Sequence, residues 1–208
     1  MQIIHTLQQW WCQQSRLELT GVITGLLCVY LAAANSIWNW PIAIISTGIY
    51  VYIFANTQLY ADMGLNVYLL VASIYGWVYW RKHPAGGNKL PVTRITKPQL
   101  LVLLITVSVI TPALGYTLIT LAPVLHFKPA SFPYLDSFLM ACSLVAQILM
   151  ARKVLDNWLI WIFADIIYVG VYLVKGLQPT AFLYAAYIPI ALYGFIDWRK
   201  AYRKQMAE

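Results

Sequence analysis

Asp165 stands in the middle of an apolar stretch, Asn157–Val174, where nothing else is acidic. The other acids, Glu18, Asp62, Asp136, Asp156, Asp197 and Glu208, fall at the ends of apolar stretches, in polar junctions or at the terminus. An ionised carboxylate at the centre of a bilayer costs about 2.5–3.5 kcal/mol on insertion scales, so Asp165 is expected to face the protein interior and to have a partner. Trp158, Trp161, Asp165, Tyr168 and Tyr172 recur at steps of three and four residues, which places them on one face of a helix. Tyr184 and Tyr187 follow on the next apolar stretch. Ser46, Thr47, Tyr50, Asn66 and Gln147 are the polar groups that other stretches can bring to the same depth. Flat aromatic faces beside a carboxylate suit a flat organic cation, held by stacking, cation–π attraction and a counter-charge. The competing structural reading is a hydrogen bond between helices, with Trp and Tyr serving as packing or interface anchors. Trp80 and Trp198, at the ends of their stretches, read as such anchors.

Other chemistry has no support. There is no phosphate-loop motif, because Gly86-Gly87-Asn88-Lys89 lacks the spacing and the strand–helix context. His5, His83 and His126 form no H-x-x-x-H or H-E-x-x-H pattern, so no metal site is expected. An aspartyl protease needs two acids, and Asp165 has no partner at its depth. No mid-span lysine follows in the last stretch to carry a retinal Schiff base. Cys12, Cys28 and Cys142 suggest neither a disulfide framework nor a zinc site. No cofactor and no enzymatic activity are expected.

The elements that must position Asp165 are membrane helices. The 208 residues are 61% hydrophobic and only 10% charged, with a mean hydropathy of +0.67. A soluble domain carries roughly a quarter charged residues, so this chain cannot cover a soluble surface. Residues 1–17, with Trp10 and Trp11 and no basic leader, read as an interfacial segment rather than a cleavable signal. Helices are expected at about 18–35, 40–56, 63–80, 99–121, 134–150, 157–174 and 179–198, with Pro189 a kink in the last. Residues 81–97 form a basic, Gly- and Pro-bearing linker, and 122–133 a loop with three prolines.

A shift of 118 residues lays 39–82 over 157–200 without a gap, and 14 of the 44 pairs are identical. Paired Asn39/Asn157, Trp40/Trp158, Tyr50/Tyr168, Gly76/Gly194 and a shared Trp-Arg-Lys ending are more telling than matched Ile and Val. The division predicted is a first repeat, 18–82, a linker with one helix, 83–133, a second repeat, 134–200, and a cytoplasmic tail, 201–208. Three helices end on the side opposite their start, so the extra crossing gives both repeats the same orientation, related by an axis along the membrane normal. The fold class expected is an all-α integral membrane protein of seven transmembrane helices in a 3+1+3 parallel duplication.

The basic residues set the orientation. With the N-terminus outside, 11 of the 14 Lys and Arg fall on cytoplasmic segments and only Arg16, Lys128 and Lys175 lie outside. The net charge of +7 follows from this bias and does not indicate nucleic acid; the lipid bilayer is the partner it implies.

Several runs resemble the Pnu-type vitamin transporters, a family with a nicotinamide riboside branch (PnuC) and a thiamine branch (PnuT). They are Gln58-Leu59-Tyr60-Ala61-Asp62, Ile74-Tyr75-Gly76-Trp77-Val78-Tyr79-Trp80, and Asp156-Asn157-Trp158-Leu159-Ile160-Trp161. Thr24-Gly25-Leu26-Leu27-Cys28 and Gln147-Ile148-Leu149-Met150-Ala151-Arg152-Lys153 also fit, so the resemblance covers about 18–200. It implies a SWEET-like full-length duplication, facilitated diffusion of a small cationic vitamin across the bacterial inner membrane without ATP, net uptake drawn by a cytoplasmic vitamin kinase, and a homotrimer. The nicotinamide riboside branch often has Asn at the positions of Ser46 and Asp165 and Gln at that of Asn66; all three differ here. A single acid with Trp and Tyr walls fits the thiazolium and aminopyrimidine of thiamine somewhat better. Thiamine is therefore the expected substrate, with nicotinamide riboside the alternative and a membrane-embedded enzyme using Asp165 a remote one.

The charge bias gives a direct test. Reporter fusions placed after Asn88 and at Glu208 should both be cytoplasmic, and one within 122–133 should be external. A C-terminus on the outside would overturn the parallel arrangement.

Overall fold

A computed structural model describes residues 16–56, 60–82, 90–124 and 131–207. The interfacial segment expected at 1–17 therefore lies almost wholly outside the described residues, as do the Gly86-Gly87-Asn88 turn and most of the three-proline loop. Seven helices are present among the described residues: α1 (Arg16–Ala33), α2 (Asn39–Asn56), α3 (Tyr60–Arg81), α4 (Lys97–Val124), α5 (Pro133–Ala151), α6 (Asn157–Val174) and α7 (Gln178–Gln205). The 118-residue shift carries α2 onto α6 residue for residue and the start of α3 onto the start of α7.

Four helices, α4 to α7, are long and apolar enough to cross a membrane on hydropathy alone. In α1 the apolar stretch Leu19–Ala33 is shorter, and in α2 and α3 Asn, Trp and Tyr dilute the aliphatic residues. Their length suffices nonetheless, since 18 helical residues extend about 27 Å. Large apolar side chains such as Ile23, Ile45, Val71, Val102, Ile166 and Ile196 point outward on every group of helices, as lipid-facing surface requires.

Each set of three packs in the same order, α1 on α2 on α3 and α5 on α6 on α7. The two sets then meet through a reciprocal pair of contacts, α1 on α7 and α3 on α5. That reciprocity is what a pseudo-twofold axis through the bundle produces. Helix α4 packs on α5 and leaves nearly all its surface to lipid.

The duplication extends to the backbone of the tight junctions. Asn35 after α1 and Lys153 after α5 both adopt a left-handed conformation, with φ of 54° and 60°. Around them Asn35 N–H donates to Ala32 O and Ser36 N–H to Leu31 O; the shifted pairs, Lys153 to Met150 and Val154 to Leu149, repeat both bonds. These are the closing bonds of a helix C-terminus ended by one left-handed residue. Asn39 and Asn157 then each donate a side-chain N–H back to the junction, to Ser36 O and Val154 O, both at 2.6 Å.

The interior at this end is a row of four indoles. Trp40 meets Trp80 edge-on at 5.4 Å, Trp80 meets its repeat mate Trp198 at 6.0 Å, and Trp198 meets Trp158 edge-on at 5.6 Å. Trp80 and Trp198 are 7% and 0% exposed, which corrects the reading of them as interface anchors. Each donates its indole N–H across the pseudo-axis, Trp80 to Ala151 O and Trp198 to Ala32 O, both at 3.0 Å. A buried acceptor in the opposite repeat outcompetes the headgroup region. Trp40 and Trp158 lie over Gly76 and Gly194, where an added Cβ would stand 2.5 Å and 2.7 Å from the rings.

Several boundaries differ from expectation: α3 begins at Tyr60 rather than 63 and α4 ends at Val124 rather than 121. Helix α4 begins at Lys97, because Thr96 and Gln99 form a reciprocal capping box: Thr96 N–H donates to Gln99 Oε1 and Gln99 N–H to Thr96 Oγ1. Helix α7 continues to Gln205 through what was expected to be a tail, and Gln205 Oε1 accepts from Val92 N–H. It also runs unbroken through Pro189. The end of the linker is not loose. Thr93 N–H donates to Lys153 O and Leu155 N–H to Thr93 O, a parallel bridge onto the α5–α6 junction. Asp156 at the start of α6 accepts from Ile95 N–H and from Arg94, whose guanidinium lies 2.9 Å away.

The glycine contacts are testable. Gly→Ala in a helix gains up to about 1 kcal/mol of propensity, but overpacking a rigid contact costs about 1–3 kcal/mol. Gly76→Ala and Gly194→Ala should each lower the melting temperature of the detergent-solubilised protein. Gly170→Ala, with nothing within 4 Å of the new Cβ, should leave it unchanged or higher.

Candidate functional site

Asp165 lies on the inward face of α6 and is 3% exposed. Among the described residues, no hydrogen bond or ion pair ends on its carboxylate. A buried carboxylate with no partner among the described residues is a costly arrangement, and it is the first feature of the chain that packing alone does not explain.

Its surroundings are aromatic. Tyr168, one turn along α6, stacks on Tyr172 at 5.8 Å and leans on Tyr184 of α7 at 4.6 Å. Tyr184 stacks on Tyr172 at 5.3 Å and meets Tyr187 edge-on at 5.9 Å. Tyr168, Tyr184 and Tyr187 all lie close enough to Asp165 to interact electrostatically with it. Their spacing puts these groups on facing stripes of α6 and α7, which pack against each other along their length.

The first repeat closes the group from the other side. Gly21 and Gly25 on α1 let the neighbouring helices approach: a Cβ on Gly21 would stand 3.0 Å from the Tyr50 ring, and one on Gly25 would stand 3.6 Å from both Ser46 Oγ and the Tyr187 hydroxyl. Ser46 is 5% exposed and donates to Gly21 O at 3.2 Å, which ties α2 to α1. Tyr50 stacks on Phe54 at 5.8 Å and interacts electrostatically with Tyr187. Tyr50, Ser46, Tyr187 and Asp165 thus converge between α1, α2, α6 and α7.

The pseudo-symmetry adds meaning to the composition. Under the 118-residue shift Asp165 falls on Thr47, Tyr168 on Tyr50 and Tyr184 on Asn66. The Tyr168–Tyr172 stack and the Tyr50–Phe54 stack are repeat mates with the same 5.8 Å separation. One repeat supplies the charge and most of the aromatic wall, while the other offers neutral polar groups at matching positions.

The remaining predicted residues fall around this centre. Thr47 donates its hydroxyl to Ala43 O of its own helix at 2.7 Å. Asn66 on α3 and Gln147 on α5 are half-buried. Those two helices are joined near them by the Tyr68 hydroxyl, which donates to Leu144 O at 2.8 Å. Trp158 is part of the indole row rather than of the tyrosine group, about 10 Å along the helix from Asp165 by its seven-residue separation. Trp161, one turn nearer, packs against the same row. Both indole N–H groups are buried and lack an acceptor among the described residues, as does that of Trp40, the repeat mate of Trp158. Sequence reasoning missed Ser143, which bonds Tyr168 from α5, and the two glycines of α1. Ser143 carries no signal in the sequence, but Gly21 and Gly25, four apart on one helix face, are a small-xxx-small pattern that packing helices use.

No group of three or more His, Cys, Asp or Glu able to hold a metal occurs among the described residues. A separate crevice of about 320 Å³ between α4, α5 and α6, lined by residues such as Leu103, Val107, Val145 and Phe163, is apolar and suited to a lipid chain rather than a cation.

The chain matches the family model described as nicotinamide mononucleotide transporter over residues 15–200. It is 30% identical over 213 residues to the nicotinamide riboside transporter PnuC of Escherichia coli (strain K12), covering 92% of this chain and 88% of that protein. It is 25% identical over 183 residues to the riboflavin/roseoflavin transporter RibM of Streptomyces davaonensis, covering 87% and 83%. The crystal structure of the vitamin B3 transporter PnuC is similar to it with a TM-score of 0.72 and 26% identity, covering 97% of this chain and 88% of that one. The match spans both repeats and the helix between them, and the chain belongs to the nicotinamide mononucleotide transporter family, the PnuC-type membrane transporters of vitamins.

Proposed function

We propose that this protein carries a flat, cationic vitamin across the bacterial inner membrane down its gradient, and that the Asp165 group is where the cation binds. One observation supports the reading: a buried carboxyl with no hydrogen-bond or ion-pair partner among the described residues, beside stacked tyrosines of α6 and α7. Alternating access is commonly built on a site between two such repeats. The units that would move against each other are residues 18–82 and 134–200. The N-terminus would lie outside and the C-terminus inside, following the basic residues.

In this reading Asp165 is the counter-charge. Tyr168, Tyr184, Tyr187 and Tyr50 provide flat faces, and the indole N–H of Trp161, one turn from Asp165, is a donor for a carbonyl or hydroxyl oxygen. Ser46, Thr47, Asn66 and Gln147 are the neutral polar groups within reach of the sugar or side chain of a vitamin. Nicotinamide riboside is the better supported substrate, since the Escherichia coli relative is named for it and its ribose and amide can use these neutral groups. Thiamine, favoured by sequence reasoning, rests on the single acid at position 165. The riboflavin relative supports a family preference for flat rings. A homotrimer and a cytoplasmic kinase that traps the vitamin complete the proposal.

Two measurements test it. Proteoliposomes containing only this protein should take up radiolabelled nicotinamide riboside, saturably, without ATP, Na⁺ or an imposed proton gradient; dependence on any of these would make Asp165 a coupling site instead. Calorimetry on purified protein should show tighter binding of nicotinamide riboside than of thiamine. Asp165→Asn should weaken thiamine by roughly tenfold to a hundredfold, the loss of a charge-assisted partner worth about 1.5–3 kcal/mol, and nicotinamide riboside by less, because the amide matches the residue that branch often carries there. Unchanged affinity for both in a folded variant would leave Asp165 a structural residue.

A further inference from the structure

A second cavity, of about 430 Å³, opens at the end of the bundle that carries the basic linker. It lies between the last turns of α3, the docked linker, the first turn of α4 and the α5–α6 junction. Its lining is mixed. Tyr75 and Tyr79, four residues apart on α3, stack with ring centroids 5.8 Å apart and planes inclined by 27°. Arg152, Thr93 and Gln99 are the polar part of the lining, and Leu90, Pro91 and Val154 complete it. Arg152 makes no ion pair among the described residues, whereas the nearby Arg94 is committed to Asp156. Thr93 has its backbone fixed to Lys153 and Leu155, and Gln99 is held by the capping box, so both polar walls are rigid. None of these groups serves the Asp165 site.

The Arg152 guanidinium, the Thr93 hydroxyl and the Gln99 amide are donors for an anionic oxygen group. The stacked pair of phenols is a platform for a flat ring. The volume suits one small solute of nucleotide size. We propose that this cavity binds a phosphate monoester carried on a flat-ringed solute, with the phosphate on Arg152 and the ring against Tyr75 and Tyr79. An anionic lipid headgroup shares the phosphate chemistry but has no ring to place on the tyrosines. The cavity therefore gives a vitamin transporter a place to sense a phosphorylated solute separate from the transported one.

The test uses the full chain in nanodiscs of neutral phosphatidylcholine, titrated with nicotinamide mononucleotide. Binding is expected, undiminished by saturating nicotinamide riboside. Arg152→Gln should weaken it at least tenfold and leave nicotinamide riboside affinity within twofold. Arg152 is exposed, so this variant should fold. Tyr75→Leu, also at an exposed position, should weaken the mononucleotide several-fold and leave inorganic phosphate unaffected. The proposal is overturned if nicotinamide riboside displaces the mononucleotide, which would place it at Asp165, or if Arg152→Gln binds it normally. It is equally overturned if inorganic phosphate binds as well as the ring-bearing ester, or if nanodiscs containing phosphatidylglycerol abolish binding, since the occupant would then be lipid. The Arg152 dependence is read without any transport assay, so failure of the uptake reading and failure of this one are separate results.

Discussion

The structure depends on indole rings seated over glycines. Inside a membrane, helices gain little by hiding apolar surface from one another, because lipid is equally apolar; close packing and buried hydrogen bonds must hold them. Trp158 over Gly194 holds α6 to α7, and Trp40 over Gly76 holds α2 to α3 in the same way. Trp80 and Trp198 then touch each other at the pseudo-axis, and each gives its N–H to a carbonyl of the other repeat. The four rings therefore join helices within each repeat and also join the repeats. Lys153, 2% exposed, places its ammonium 4.5 Å from the Trp80 ring, which adds a cation–π contact at the same junction.

Asymmetry within this symmetric frame is what makes a site possible. A strict duplication would place identical groups at positions 47 and 165, and two acids facing each other would repel. Thr47 spends its hydroxyl on its own helix, leaving Asp165 as the one charge. The aromatic walls, by contrast, retain a memory of the duplication in the two equal ring stacks. Small residues on α1 allow the remaining closure. A side chain at Gly21 would press on the Tyr50 ring, and Gly25 lies in contact distance of Ser46 and Tyr187. Packing residues and the proposed binding residues thus alternate along the same helices, and a change to the first set moves the second.

How much of this was legible in the sequence follows from which signals are local. The seven-helix layout was legible, because apolar length and the recurrence of Trp, Gly and Trp-Arg-Lys survive without knowledge of neighbours. The Asp165–Tyr168–Tyr172 face was legible from helical spacing alone. The left-handed turn at Lys153 was not, since a lysine is a poor signal for that conformation, and only its structural mate Asn35 is of a type that favours it. Trp80 and Trp198 misled for a related reason: a terminal tryptophan looks the same whether it faces headgroups or another repeat, and the deciding acceptors, Ala151 and Ala32, are far away in sequence. The extension of α7 to Gln205 and the docking of the linker were hidden similarly, because a bond from Val92 to Gln205 has no local signature.

The linker also decides which parts of the molecule can move together. In sequence, residues 90–96 and α4 follow the first repeat. In space they belong to the second: the bridge at Thr93 runs to the α5–α6 junction, Arg94 and Ile95 bond Asp156 at the start of α6, Val92 bonds the end of α7, and α4 packs on α5. Separating these would break a charge-assisted pair and several backbone hydrogen bonds at once. The contacts between repeats, by comparison, are the α1–α7 and α3–α5 surfaces with the Trp80 and Trp198 bonds. Any rocking of the bundle should therefore divide it into a three-helix body bearing Ser46, Thr47, Tyr50 and Asn66, and a four-helix body bearing Asp165 and most of the tyrosines. The charge travels with the larger body, and the neutral polar groups approach or leave it.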